Sequence, residues 1–196
     1  MFLQEYMLIP ILSKIKYTKT FTMWNIIFSI LGKKLKIPQE CLLLNSINTW
    51  VSFQHGATDG TKLRLMKKFK IKSIYTFLFG DIIQHTLPVI IWSILTKGKI
   101  KEKHIFRQLS WVIMYYIIVG NGFNCEKQYC KYPYKRQVFS ALVTPFIFSK
   151  IWNHSLNKSK IPLLIFFFYV YYMKEVYDLY DEKKNLEKHF KSKKTC

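Results

Sequence analysis

The chain has 196 residues, 50% of them apolar and 17% aromatic, and its 31 Lys and Arg against 11 Asp and Glu give a formal net charge of +20. So many aromatic and aliphatic side chains exclude intrinsic disorder, no repeat with a period of about 20 to 50 residues points to a solenoid, and the length permits one domain. The mean hydropathy of +0.03 averages two unlike kinds of segment, because strongly basic stretches alternate with stretches almost free of charge.

In chain order the low-charge intervals are Thr20–Gly32, Cys41–Thr58, Ser73–Thr96, Gln108–Cys125, Gln137–Ser149 and Ile161–Met173. A helix needs roughly 18 to 20 apolar residues to cross about 27 to 30 Å of hydrocarbon. The second, third and fourth intervals are that long. The other three reach it if Lys33, Lys150 and Lys174 extend their ammonium groups toward the headgroups. A buried helix of a water-soluble protein is the alternative for each short interval. Ser73–Thr96 argues against it, being apolar around its circumference apart from a few polar groups, where a soluble helix shows one polar face. Ile161–Met173 also lacks a polar stripe, and Tyr169, Tyr171 and Tyr172 just before Lys174 and Glu175 are spaced as an interfacial aromatic belt would be. The predicted fold is therefore all-α, a multi-pass transmembrane helical bundle of about six spans. Residues 1–19 form a cytosolic N-terminal segment, residues 20–173 the membrane domain, and residues 174–196 a basic cytosolic tail.

Orientation follows from the retention of basic loops on the cytosolic side. With six spans, residues 1–19, 59–72, 126–136 and 174–196 share one side and hold 20 Lys and Arg, against 11 on the other, which places both termini in the cytosol. Asn153-His154-Ser155 and Asn157-Lys158-Ser159, in the loop expected to be luminal, are N-glycosylation sequons. The chain ends Lys193-Lys194-Thr195-Cys196, which resembles the dilysine retrieval signal of endoplasmic-reticulum membrane proteins. These features point to the endoplasmic reticulum or a host-derived membrane. The start, Met1-Phe2-Leu3-Gln4-Glu5, has no basic region of the kind that opens a cleavable signal peptide, so the first span is expected to be an uncleaved anchor. Phe2 to Ser13, with Lys14, Lys16 and Lys19 after it, reads alternatively as an amphipathic surface helix. Cys125 and Cys130 share a loop expected to be cytosolic, where both stay reduced. Without a nearby histidine pair they leave a zinc tetrahedron incomplete.

Polar groups at membrane depth carry the functional information, because hydrocarbon penalises them unless they meet a partner or a wet cavity. Asp81 and His85 are four apart, one helical turn, so their side chains can bond and the carboxylate can orient the imidazole as a general base. Gln84 and Thr86 add polar groups nearby, and Pro88 frees the carbonyl of Gln84. In the second interval Asn45, Asn48, Ser52 and His55 form one polar stripe, which reads as interhelical hydrogen-bond glue or as a site. As a site, Thr49 or Ser52 supplies a hydroxyl nucleophile and His85 takes its proton. His55 and Asp59 make a second candidate pair.

Gln84-His85-Thr86-Leu87-Pro88, then a further span containing Trp111 and Tyr115, then Lys131-Tyr132-Pro133-Tyr134 before the fifth span, resembles the androgen-induced protein (FAR-17a) family. The resemblance covers roughly residues 81–140, in spacing. It implies a six-span membrane hydrolase with cytosolic termini whose proposed catalytic pair is an intramembrane threonine and histidine. Carried onto this chain, the histidine is His85 and the threonine Thr49. The two lie on adjacent spans here, whereas the family has another span between them.

The mechanism expected is acyl-ester hydrolysis with catalytic residues Thr49, His85 and Asp81, the bilayer and an acyl lipid as partners, and no metal or organic cofactor. Three rivals remain: a non-enzymatic scaffold or membrane-remodelling protein, a small transporter using Asp81 and His85, and a soluble nucleic-acid binder suggested by the charge. Lys, Ile, Phe and Tyr are all abundant, as an AT-biased genome produces, so basicity alone is a poor guide to specific nucleic-acid binding. There is no P-loop, dinucleotide-binding glycine pattern, zinc-protease motif or Gly-x-Ser-x-Gly elbow.

Overall fold

The structure, a computed structural model, describes residues 25, 28, 29, 32, 36–56, 61–119, 133–155 and 161–192. Among them the only regular structure is helical. Asn25, Phe28, Ser29 and Gly32, the described residues of the first low-charge interval, are each helical, and the label "first helix" denotes these four residues alone. After it come α1 (Gln39–Gly56), α2 (Thr61–Lys68), α3 (Ile74–Leu95), α4 (Glu102–Met114), α5 (Pro133–Ser155) and α6 (Ile161–Ser192). Prolines sit where helices start, at Pro38 just before α1, at Pro133 and at Pro162, since a missing N–H costs nothing in a first turn. Ser73 caps α3 by accepting from Thr76 N at 3.4 Å.

The two prolines inside helices are accommodated differently. Ahead of Pro88, α3 widens into a π-helical turn over Ile82–Thr86, with the Leu87 N–H bonded to Ile82 O. Pro145 stands in the middle of α5 and leaves the carbonyl four residues back, Ala141 O, without its helical donor. Asn48 of α1 supplies that donor from Nδ2 at 2.9 Å.

Helix α1 is the axis of the molecule, with every residue from Cys41 to Trp50 buried. It packs against α5, α3 and α4, while α6 lies on α3 and α2. A Cβ at Gly32 would stand 2.5 Å from Leu42 Cδ2, so the first helix approaches α1 closely there and a larger residue would require the Leu42 side chain to shift. Phe28, Leu42, Trp111 and Tyr115 pack at that contact, and Ile47, Trp50, Val89 and Phe168 fill the space between α1, α3 and α6. The segment between α3 and α4 is tied to α5: Asn153 Nδ2 donates to Ile100 O and Ile100 N to Asn153 Oδ1, both at 2.8 Å, and Trp152 Nε1 donates to Gly98 O at 3.2 Å.

Each low-charge interval contains helical residues, with three differences from the sequence reading. The basic 59–72 loop holds α2, whose Thr61, Lys62, Leu65 and Met66 form one buried face. Its lysines concealed the 3.6-residue period. Helix α5 extends beyond Gln137–Ser149 at both ends. Helix α6 continues past Met173 to Ser192, so the boundary drawn at 173/174 falls inside one helix. By length and composition, Ile74–Leu95 is the one helix among the described residues long and apolar enough to cross a membrane.

Polarity across α3 runs from apolar outside to polar inside. Phe79, Ile83, Leu87, Ile91 and Ile94 are exposed along one face, whereas Asp81, His85, Thr86 and Ser93 are buried. Phe146, Ile147 and Ile151 of α5 and Phe166, Phe167 and Val170 of α6 are likewise exposed.

Candidate active site

The π turn of α3 brings Asp81 and His85 together at the centre of the fold, both 3% exposed. His85 Nδ1 and Asp81 Oδ1 are 2.6 Å apart. If Nδ1 donates to the carboxylate, Nε2 is the nitrogen that carries the basic lone pair. Phe53 of α1 stacks on the imidazole, with ring centroids 4.1 Å apart and planes at 12°, which fixes the ring's tilt. The other carboxylate oxygen, Asp81 Oδ2, accepts from Gln54 Nε2 and from Tyr172 OH, each at 3.0 Å. Thr86 Oγ1 lies 2.7 Å from the same Tyr172 oxygen and donates to it when the tyrosine proton points at Asp81.

Gln54 links this cluster to an ion pair between α2 and α6. Its Oε1 accepts from Lys62 Nζ at 2.8 Å, and Tyr171 OH lies 2.8 Å from both Gln54 Oε1 and Glu175 Oε1. Lys62 is paired with Glu175. Each charged group here therefore meets an opposite charge or a hydrogen-bond donor, the condition on which buried charges are tolerated.

Beside His85 lies a cavity of about 310 Å³ walled by Asn25, Ser29, Asn45, Ser46, Thr49, Gln84, His85, Pro88, Ile91 and Trp92. Three helices contribute: the first helix, α1 and α3. Thr49 and His85 thus face one space from different helices. The Thr49 hydroxyl donates to Asn45 O one turn back at 2.7 Å, so using it as a nucleophile requires its O–H to turn away from that carbonyl. Gln84 and Ile91 are the exposed wall residues on α3, and with Pro88 they form the edge by which the cavity reaches the outer surface.

Ser52, the alternative nucleophile, lies outside this wall and donates to Asn48 Oδ1 at 3.3 Å. The rest of the α1 polar stripe joins helices. Asn45 Nδ2 donates to Asn25 O at 2.8 Å and to Ser29 Oγ at 3.1 Å, Gln108 Nε2 donates to Asn45 Oδ1 at 3.0 Å, and His55 Nδ1 lies 2.5 Å from Ser140 Oγ. Asp59, Cys125, Cys130, the Asn157 sequon and the C-terminal lysine pair lie outside the described residues. No group of three or more His, Cys, Asp or Glu among the described residues could hold a metal ion.

Gln54, Lys62, Glu175, Tyr171 and Tyr172 entered the cluster unforeseen. The tyrosines read as an aromatic belt, yet only Tyr169 points outward, while Tyr172 is 8% exposed and bonded to Asp81. A tyrosine in an apolar run needing a partner for its hydroxyl was the available signal. Comparison of the chain with protein-family models, curated proteins and solved structures finds no match.

Proposed function

We propose that this chain is a multi-pass membrane protein of about six spans, in the endoplasmic reticulum or a host-derived membrane, that hydrolyses acyl lipids with Thr49 as nucleophile and His85 as base. The observation that carries the reading is that Thr49 and His85, on different helices, line one cavity while Asp81 holds His85. The likeness to the androgen-induced protein family points to the same two residue types. The inverted polarity of α3 supports the membrane setting, because large apolar side chains facing outward are unfavourable in water and favourable in hydrocarbon. At 22 residues α3 is about 33 Å long, enough for the bilayer core.

In the reaction, the Thr49 Oγ bonds to the acyl carbonyl carbon as its proton passes to His85. The C=O π pair moves onto the carbonyl oxygen and returns as the leaving atom, oxygen in an ester or nitrogen in an amide, departs with the proton from His85. Water, deprotonated by His85, then releases the acid and regenerates Thr49 by the same steps. Asp81 keeps the imidazole oriented and stabilises its protonated form. The substrate enters laterally past Gln84 and Ile91, and the basic loops attract anionic headgroups.

Purified protein in lipid vesicles, given a panel of acyl lipids, should show turnover that His85→Ala and Thr49→Ala abolish. Equal turnover in wild type and both variants would refute the assignment. One observation favours a second reading, a non-enzymatic scaffold: the Asp81 cluster bonds α1, α3 and α6 together. Under it, Asp81→Leu lowers thermal stability and no lipid is consumed by any form. Transport of protons along the same residues is disfavoured, because the link from Asp81 to Lys62 and Glu175 runs through the Gln54 amide, a poor proton carrier.

A further inference from the structure

Asn25 lines the same cavity as Thr49 and His85. It is 1% exposed, and neither its Nδ2 nor its Oδ1 has a hydrogen-bond partner. The carboxamide beside it is fully employed: Asn45 gives both amide protons to Asn25 O and Ser29 Oγ and accepts from Gln108. Those bonds fix the Asn25 backbone against α1 and leave its side chain with nothing to bind. A buried amide without partners is costly, and a leucine of similar shape would suit the packing better. Its presence in this wall is explained if a ligand completes it.

Resting on the hydrolase reading above, we infer that Asn25 is the carbonyl-binding residue of the site. Its Nδ2 donates to the acyl carbonyl oxygen and its Oδ1 accepts from an O–H carried by the leaving group, since the N–H of a trans secondary amide points away from its own carbonyl. The substrate class is therefore an acyl lipid with a hydroxyl beside the scissile group, either an N-hydroxyalkyl acyl amide or a hydroxyl-bearing acyl ester. As Thr49 Oγ bonds to the carbonyl carbon, the π pair collects on the oxygen that Asn25 already faces. The hydrogen bond strengthens there, in a site from which water is excluded, and no bond to Asn25 forms or breaks. A cavity of about 310 Å³ is at the small end of ligand sites, so it holds the reacting group while the acyl chain leaves past Ile91.

The test uses the full chain in vesicles with three probes: a monoacylglycerol, an N-acylethanolamine and a fatty-acid methyl ester, which lacks the donor. Asn25→Leu should lower kcat by about 10²- to 10³-fold, as loss of one oxyanion donor does, while its thermal midpoint equals or exceeds that of wild type. Wild type should prefer the two donor-bearing probes over the methyl ester, and Asn25→Leu should lose the preference. Which donor-bearing probe turns over faster separates the amide from the ester source. Unchanged kcat in Asn25→Leu, or lost activity together with a lowered midpoint, would overturn the assignment alone. No turnover by wild type, with Thr49 left unmodified by a fluorophosphonate, overturns the hydrolase reading and this assignment with it.

Discussion

Replacing Asn48 with leucine should destabilise the protein because of a proline on another helix. Pro145 leaves Ala141 O without an intrahelical donor, and Asn48 Nδ2 fills the gap at 2.9 Å. The leucine removes that bond and also the acceptor for the Ser52 hydroxyl. A buried group left unsatisfied costs about 1–3 kcal/mol, and hydrogen bonds between helices in lipid measure about 0.6–1.7 kcal/mol, so a loss of about 1–2 kcal/mol is expected. Pro145→Ala restores an N–H that bonds Ala141 O within α5. In that background Asn48→Leu should cost only the Ser52 contribution, giving a favourable coupling of about 1 kcal/mol. For a chain of this size that is a difference of about 2–4 °C in midpoint. Thermal unfolding of the four proteins in one detergent measures it. Equal cost of Asn48→Leu in both backgrounds would show that the orphaned carbonyl is not what Asn48 serves.

Two further predictions concern helix ends. Lys70 closes α2 with φ 56° and bonds from Lys70 N to Lys67 O and Ile71 N to Met66 O. The left-handed penalty of about 1–2 kcal/mol, less the larger entropy that glycine loses, makes Lys70→Gly stabilising by about 0.5–1 kcal/mol. Lys72→Gly, away from that conformation, should give no gain in the same melts. His104 lies in the first turn of α4, before the span proposed to begin at Gln108. Burial holds its imidazole below the ordinary value, with Lys103 and Lys101 acting in the same direction and Glu40 opposing. The unfolded chain therefore binds the proton at a higher pH than the folded chain. Stability from this group is complete above the ordinary histidine value and is lost as pH falls toward the lowered one. Protonation also removes Nδ1 as the acceptor for Lys101 N at 3.3 Å. His104→Gln, which keeps an acceptor, should melt with a shallower acid-side decline than wild type. Identical slopes would count against the argument.

Legibility followed locality. Asp81 and His85 could be paired from sequence because four residues make one turn, and the π turn at Ile82–Thr86 leaves them in contact. The α1 polar stripe was legible as a stripe, but its partners were not. Asn48 finds a carbonyl exposed by a proline 97 positions later, and Ser52 differs from Thr49 only in which neighbour it faces. Gln54, Tyr172 and the Lys62–Glu175 pair depend on how α2 and α6 pack, which no short-range period encodes. Helix α2 was missed because charge counting sees four basic residues in Thr61–Lys68 and not the apolar face between them.

The central claim is that hydrocarbon surrounds the outward side chains of α3 and α6. Single cysteines placed at Phe79, Ile91 and Phe166, in a background with the native cysteines replaced by alanine, test it directly. All three positions are exposed, at 65%, 43% and 60%. In permeabilised native membranes, where both faces are open to the reagent, they should resist a charged maleimide that labels a cysteine at exposed Lys99, and should react once the protein is denatured. Rapid labelling of the three in the folded protein would place them in water and contradict the account.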